Sequence, residues 1–290
     1  MELQGLMALL TKVLCGQYGW EMEELRLAGN GVDNAVFFLQ EGERGKLAVR
    51  VPSVDKSREE WRWSLQKEHD LNVFCSSLGL PVPRVHLLHF GEELDFLVTE
   101  FIEGDGVPVP DTEIGAFAGR IHELQVDGLV ISNQGNERME SYLARRIERR
   151  MAALKNLFPE DGFLLEKDKL QEVLSLNRSP HCLLHMDIRP VNLIGREGKA
   201  AAIFDWDNAL IGPAALDIMR VLELGELDVG EFLRGYPNRD VLTGTPREVL
   251  ALYRLDTALL MTDLFLYVLK DQAKGEFYAE RVRLLRKEIQ

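Results

Sequence analysis

The sequence predicts an α+β chain in two lobes, a small β-rich N-terminal lobe and a larger helical C-terminal lobe. Three observations predict it. The first third alternates β-rich runs with turn residues around one long helix. After Gly104, apolar residues recur at helical spacing through most of the remaining chain. A single β-like stretch, Cys182 to Asp205, interrupts those helices, and polar residues gather at its ends. The lobes are expected over residues 1–99 and 105–290, with 100–104 as the connector. A cleft between two such lobes is a common place for a ligand.

The elements follow in order. Leu6 to Leu14 is apolar but lacks a basic start and carries Lys12, which suits a first amphipathic helix better than a signal peptide. Ala35 to Leu39 and Leu47 to Val51 are β-rich runs around a turn containing Gly42 and Gly45. Trp61 to Leu78 reads as a helix, and Pro81-Val82-Pro83 as a rigid connector to strands at His86 to His89 and Phe96 to Thr99. Thr112 to Gln125, Glu137 to Leu157, Leu164 to Leu176, Pro246 to Leu269 and Gly275 to Ile289 have helical spacing.

The composition narrows the partners. The 290 residues are 46% hydrophobic and 28% charged, an ordinary globular balance, and the formal net charge is −13. An acidic surface repels nucleic acid and anionic membrane, so neither is expected as a partner. No stretch reaches the ~20 apolar residues that span a bilayer. Cys15, Cys75 and Cys182 are widely spaced without a CxxC, which excludes a disulfide framework and a thiolate zinc site and suits a reducing cytosol.

The chemistry gathers in His185-Met186-Asp187-Ile188-Arg189-Pro190-Val191-Asn192, which follows one apolar run and precedes another. A turn at Gly195 and Gly198 leads to Ala201-Ala202-Ile203-Phe204, ending in Asp205-Trp206-Asp207. Asp187, Asn192 and Asp205 supply a base and oxygen ligands, and such ligands suit Mg²⁺, a hard cation that usually also takes substrate phosphates. Earlier in the chain, Leu47, Val49 and Val51 face one side of their strand, so Ala48 and Arg50 face the other. In the next helix Trp61, Leu65, Glu68, Leu71, Cys75 and Leu78 share a face. A carboxylate in that apolar stripe needs a cation, and Arg50 is the natural candidate.

His-x-Asp-x-x-x-x-Asn followed by an Asp ending a second strand resembles the catalytic and metal-binding signature of the protein-kinase-like fold. The resemblance is closest to the aminoglycoside phosphotransferase group of small-molecule kinases and spans roughly residues 25 to 225. Phe204-Asp205-Trp206-Asp207, Gly212-Pro213 and Leu216-Asp217-Ile218 look like that group's second motif. Asp217 follows Asp205 too soon for an activation segment, which disfavours a protein substrate. The resemblance implies ATP or GTP as phosphoryl donor, Mg²⁺ held by Asn192 and Asp205, and Asp187 as the base for a small-molecule hydroxyl. By the same likeness Arg189 would stabilise the γ-phosphoryl group, and Gly29 and Gly31 would cover the phosphates. Arg50, fixed by Glu68, would hold the α- and β-phosphates in place of the family's usual Lys. The Glu100 carbonyl and Ile102 N–H of the connector Thr99 to Gly104 would meet the purine.

His185 is expected to tie the loop backbone, Asp217 to brace it, and His122 to pack within its helix. Asp207 is open between a substrate-side group and a strand-end cap. The arginines from Arg145 to Arg150 read as a solvated helix face, with contact to an anionic substrate as the alternative. Glu223, Glu226, Asp228 and Glu231 form an acidic cluster that would suit a cationic acceptor such as an aminoglycoside, or would simply be solvated surface. Related enzymes act on choline, homoserine, macrolides and sugars, so fold alone leaves the acceptor open. Two rivals are a phosphatase built on Asp205-Trp206-Asp207, which Ala209 disfavours where such enzymes carry Thr, and a kinase-like nucleotide-binding module that has lost activity.

Overall fold

The computed structural model describes residues 3–31, 34–52, 57–129, 131, 137–159 and 165–289. By packing, the chain divides into two units, one of residues 1–109 and 191–207 and the other of 110–190 and 208–290. The β-like stretch predicted inside the helical lobe is therefore shared between the two units, and its second half goes with the N-terminal one.

In the first unit, α1 (Leu3–Tyr18) precedes a five-stranded antiparallel sheet of β1 (Met22–Asn30), β2 (Asn34–Glu41), β3 (Gly45–Pro52), β4 (Val85–Phe90) and β5 (Asp95–Glu100). The strand order is β1-β2-β3-β5-β4. Leu47, Val49 and Val51 turn into a core with Leu10, Leu14, Phe37, Leu39, Phe96 and Val98. Each such buried side chain contributes about 1.5–3 kcal/mol. Helix α2 (Arg58–Ser77) starts with a capping box, in which the Ser57 side chain accepts the Glu60 N–H and the Glu60 carboxylate accepts the Ser57 N–H. Trp61, Leu65, Glu68, Leu71 and Cys75 are its buried stripe, as the spacing predicts. Leu78 departs from it: the helix stops at Ser77 and Leu78 is exposed at the cap. The hairpin of β7 (Leu193–Arg196) and β8 (Lys199–Ile203) completes the unit, tied on by Ile203 N–H to the Pro81 carbonyl and Asp105 N–H to the Gly195 carbonyl.

Strand β1 is not legible in the sequence. Register shifts between Met22 and Glu24 and between Leu27 and Gly29 break its alternation, so Met22, Leu25 and Leu27 all reach the core although their spacing is not two throughout. Polar residues are also as numerous as apolar ones on this edge strand.

The second unit is mainly helical: α3 (Asp111–His122), α4 (Met139–Ala153), α5 (Lys167–Leu174), α6 (Ala214–Leu224), α7 (Val229–Gly235), α8 (Asp240–Thr243), α9 (Arg247–Asp263) and α10 (Gln272–Ile289). Two short strands, β6 (His181–Leu184) and β9 (Leu210–Pro213), pair antiparallel beneath the 185–190 loop. A Cβ at Gly115 of α3 would strike the Phe232 carbonyl, and one at Gly235 would strike the Thr112 carbonyl. Glycine at both positions lets α3 and α7 pack backbone to backbone.

Candidate functional site

Arg50 is the hub of the first unit's polar cluster. Its side chain is 14% exposed on β3. Nη1 lies 3.3 Å from Glu68 Oε2; Nη2 lies 3.6 Å from Asp205 Oδ1 and donates to Asp207 Oδ2 at 2.8 Å. Burial opposes its charge, but Asp207, Glu68 and Asp205 outweigh burial and hold the guanidinium protonated. Burial pushes the Glu68 carboxyl up to about 6 against the pull of Arg50, which leaves it ionised at neutral pH.

Glu68 also accepts the N–H of Asp205 at 3.3 Å and of Trp206 at 2.6 Å. Those bonds secure a turn in which Asp205 has φ +70°, a region costly for a residue with a side chain. Phe204 N–H donates to the Asn192 carbonyl at 3.1 Å, which ties the two residues' segments together. The Asn192 side chain is buried, whereas the Asp205 side chain is 41% exposed.

Asp207, left open between a substrate-side group and a strand-end cap, is engaged at both carboxylate oxygens and at its carbonyl. Oδ2 takes Arg50, Oδ1 accepts Ser64 Oγ–H at 2.6 Å, and its carbonyl accepts Lys67 Nζ at 2.7 Å. Burial pulls the Lys67 ammonium down to about 8, opposed by Asp207, Glu68 and Asp205. Ser64 and Lys67 escape sequence reasoning, yet both sit on the face of α2 that carries Glu68, and a Lys in a buried stripe is the signal that could have found them.

Of the glycine-rich turn, Gly29 lies in β1 and the Gly31 N–H donates to the Asn34 carbonyl at 2.8 Å; Val32 and Asp33 lie outside the described residues. A Cβ at Gly29 would meet nothing within 4 Å, so the protein's own packing does not demand glycine there. In the connector, Glu100 N–H donates to the Arg84 carbonyl and Phe101 N–H to the Lys46 carbonyl. Among the described residues Ile102 N–H has no backbone acceptor.

The second unit holds the 185–190 loop. Asp217, wholly buried on α6, accepts His185 N–H at 2.8 Å and Met186 N–H at 3.0 Å and pairs with His122 Nε2 at 3.3 Å. Burial works against its charge, but His122 and the loop amides hold the Asp217 carboxyl below the usual carboxylate range. Asp217 thus braces the loop, and His122 packs within the helix end while hydrogen-bonding Tyr236 Oη at 2.8 Å. Met186, at φ +63°, repeats the arrangement at Asp205: a left-handed residue beside a buried carboxylate that binds two successive amides. Asp187 is 14% exposed, with Arg220 Nη2 3.7 Å from Oδ1.

One expectation is corrected here. Arg145 to Arg150 is not one solvated face: Arg145 and Arg149 are exposed, but Arg146 and Arg150 turn inward onto the buried Asp256 of α9. The acidic cluster, left open between an acceptor contact and solvated surface, is engaged by the protein's own groups. Glu226 binds the Arg189 guanidinium at both ends, with Nε to Oε2 at 3.0 Å. Glu223 takes Arg254 and Arg281, Glu231 takes Arg234, and the Asp228 carboxylate caps α7.

The family model described as the phosphotransferase enzyme family, APH, matches residues 24–252. The chain belongs to that family. The fold of this phosphotransferase is the protein-kinase-like one. It is similar to the gentamicin–APH(2")-IIa complex, with a TM-score of 0.66 at 16% identity, covering 98% of this chain and 96% of that one. It is also similar to a thermostable mutant of aminoglycoside phosphotransferase APH(4)-Ia in ternary complex with AMP-PNP and hygromycin B, with a TM-score of 0.70 at 16% identity over 96% and 98%. Ethanolamine kinase of Plasmodium vivax gives 0.65 at 12% identity over 99% and 91%. No curated protein matches this phosphotransferase. No helix among the described residues is long and apolar enough to cross a membrane.

Proposed function

We propose that this phosphotransferase moves the γ-phosphoryl group of ATP or GTP to a hydroxyl of a small molecule. The observation that carries the reading is the cluster in which Arg50, held by Glu68, stands beside Asp205. A buried, permanently charged guanidinium is suited to bidentate grip on the α- and β-phosphates. The open approach at Gly29 suits close contact of backbone amides with phosphate, and the Ile102 N–H suits an acceptor on the purine.

The donor set fits Mg²⁺. Asn192 offers an amide oxygen and Asp205 a partly exposed carboxylate, both hard ligands. Among the described residues no group of three or more His, Cys, Asp or Glu side chains could hold a metal by itself, so phosphate oxygens would complete the coordination. When bound, the ion would neutralise charge on the transferring group. Asp187 orients the acceptor hydroxyl and takes its proton as the oxygen–phosphorus bond forms, while the nucleoside diphosphate leaves. Arg189, steadied by Glu226, stabilises charge on the γ-phosphoryl group.

For the acceptor, the structural neighbours include aminoglycoside complexes and an ethanolamine kinase. An aminoglycoside is the leading class. The engagement of Glu223, Glu226, Asp228 and Glu231 by their own neighbours favours a second reading, a compact amino alcohol or neutral alcohol that needs no wide anionic surface. The test is diphosphate release from MgATP and MgGTP against aminoglycosides, macrolides, choline, ethanolamine and homoserine. Stimulation by one class is expected. Failure to bind either nucleotide would sink the proposal.

A further inference from the structure

Helix α6 grips the 185–190 loop twice. Asp217 and Arg220 are three residues apart and share a face of the helix. Asp217 takes the loop's backbone amides, and Arg220 reaches the Asp187 side chain. Arg220 is 4% exposed, and a buried arginine needs anionic partners.

The other anions nearby are already committed. Arg146 Nε donates to Asp256 Oδ1 at 3.2 Å, and Arg150 Nη1 donates to the Asp256 carbonyl at 3.0 Å as well as to its carboxylate. Asp217 is occupied by two amides and His122. Burial disfavours the Arg220 charge; of the charges around it Asp187 acts most strongly, Arg146 repels it, and Asp256 and Asp217 attract it less. Two arginines on Asp256 thus leave the third directed at Asp187.

The separation matters. At 3.7 Å Arg220 is within ion-pair range of Asp187 but beyond hydrogen-bond length. A chelating arginine would occupy the carboxylate lone pairs that a hydroxyl proton must reach. A cation set slightly back does not itself occupy them, yet still opposes the repulsion that an incoming triphosphate exerts on a neighbouring carboxylate. Burial keeps salt from screening the pair.

We infer that Arg220 is a positioning residue for Asp187, holding the carboxylate oriented without chelating it, as the outer end of a buried charge chain anchored on Asp256. The inference rests on the proposed role of Asp187 as the base.

The test is a double-mutant cycle on the full chain, with water as acceptor so that no identified substrate is needed. Hydrolysis of MgATP and MgGTP gives kcat and KM, and calorimetry gives nucleotide affinity. Arg220→Gln is expected to lower kcat by about 10²-fold, the usual effect of a misplaced reacting group, with nucleotide affinity unchanged. In an Asp187→Asn background the same substitution is expected to have no further effect on kcat, because its influence passes through Asp187. Arg220→Lys, which keeps the cation, is expected to retain more turnover than Arg220→Gln. It carries the same cycle if the Gln variant does not fold by circular dichroism. Losses that multiply in the double variant, or a full kcat in Arg220→Gln, would overturn the inference. A wild-type chain that binds and hydrolyses neither nucleotide would instead bring down the phosphotransfer reading on which the inference stands.

Discussion

Trp206 donates its backbone N–H to Glu68 Oε2 at 2.6 Å, and the same oxygen lies 3.3 Å from Arg50 Nη1. One carboxylate on α2 therefore holds both the cation of β3 and the turn that carries Asp205. Strand, helix and turn come from three distant parts of the sequence and share a single anchor.

Removing Arg50 tests that anchor. Arg50→Ala removes the guanidinium that Glu68, Asp205 and Asp207 share, and loss of one partner of a buried pair costs about 3–5 kcal/mol. Urea unfolding is expected to show that loss, and calorimetry a collapse of nucleotide affinity. Arg50→Lys is expected to fold and keep part of the turnover. Full activity in the Ala variant would refute Arg50 as the phosphate anchor.

Asp187 and Asp205 are expected to fail differently. Asp187→Ala is expected to bind Mg²⁺-nucleotide with near-wild-type affinity while kcat falls ~10²–10⁴-fold, the worth of a positioned base. Asp205→Ala is expected to lose the Mg²⁺ dependence of nucleotide binding together with turnover. Titrations with and without Mg²⁺ separate the two, and wild-type turnover in Asp187→Ala would end the kinase mechanism.

Glu226 is engaged by Arg189, so its role is expected to run through that arginine and not through the acceptor. Glu226→Gln and Arg189→Ala are expected to lower kcat without adding when combined, and to leave the acceptor KM little changed. A rise in acceptor KM confined to Glu226→Gln would restore Glu226 as an acceptor contact.

Acid is expected to loosen the second unit through Asp256. Burial works against its charge, but Arg146 and Arg150 hold its carboxyl below the ordinary value of 3.8. The stability it contributes is therefore present above about pH 4 and is lost as pH falls through the unfolded value toward the lower folded one. Chemical unfolding between pH 6 and pH 3 is expected to show a shallower acid slope for Asp256→Asn than for wild type, on a midpoint already lowered at pH 6. Equal slopes would remove Asp256 from the acid transition.

Much of this was legible in the sequence where one periodicity acts alone. The alternation of Leu47, Val49 and Val51 places Arg50 on the opposite face, and the helical stripe through Leu65 and Leu71 places Glu68 toward it. Their 3.3 Å approach follows from two local rules. Strand β1 escaped because two register shifts destroy its alternation. The inward turn of Arg146 and Arg150 escaped for another reason: a run of arginines resembles solvated surface until its counter-charge, Asp256, arrives from over a hundred residues away. The engagement of the acidic cluster escaped in the same way, because Arg189, Arg254 and Arg281 lie outside it in sequence.

The left-handed backbone of Asp205 carries an evolutionary consequence. A residue with a side chain in that region costs on the order of 1 kcal/mol or more, and glycine there costs far less. Asp205→Gly would relax the turn, and with the side chain 41% exposed it forfeits little packing. Selection for stability alone would therefore drift toward glycine at this position. On the proposed reading of Asp205 as a metal ligand, the aspartate marks a place where the chain keeps a chemical group at a cost in backbone strain, a trade between folding and activity recorded in one dihedral angle.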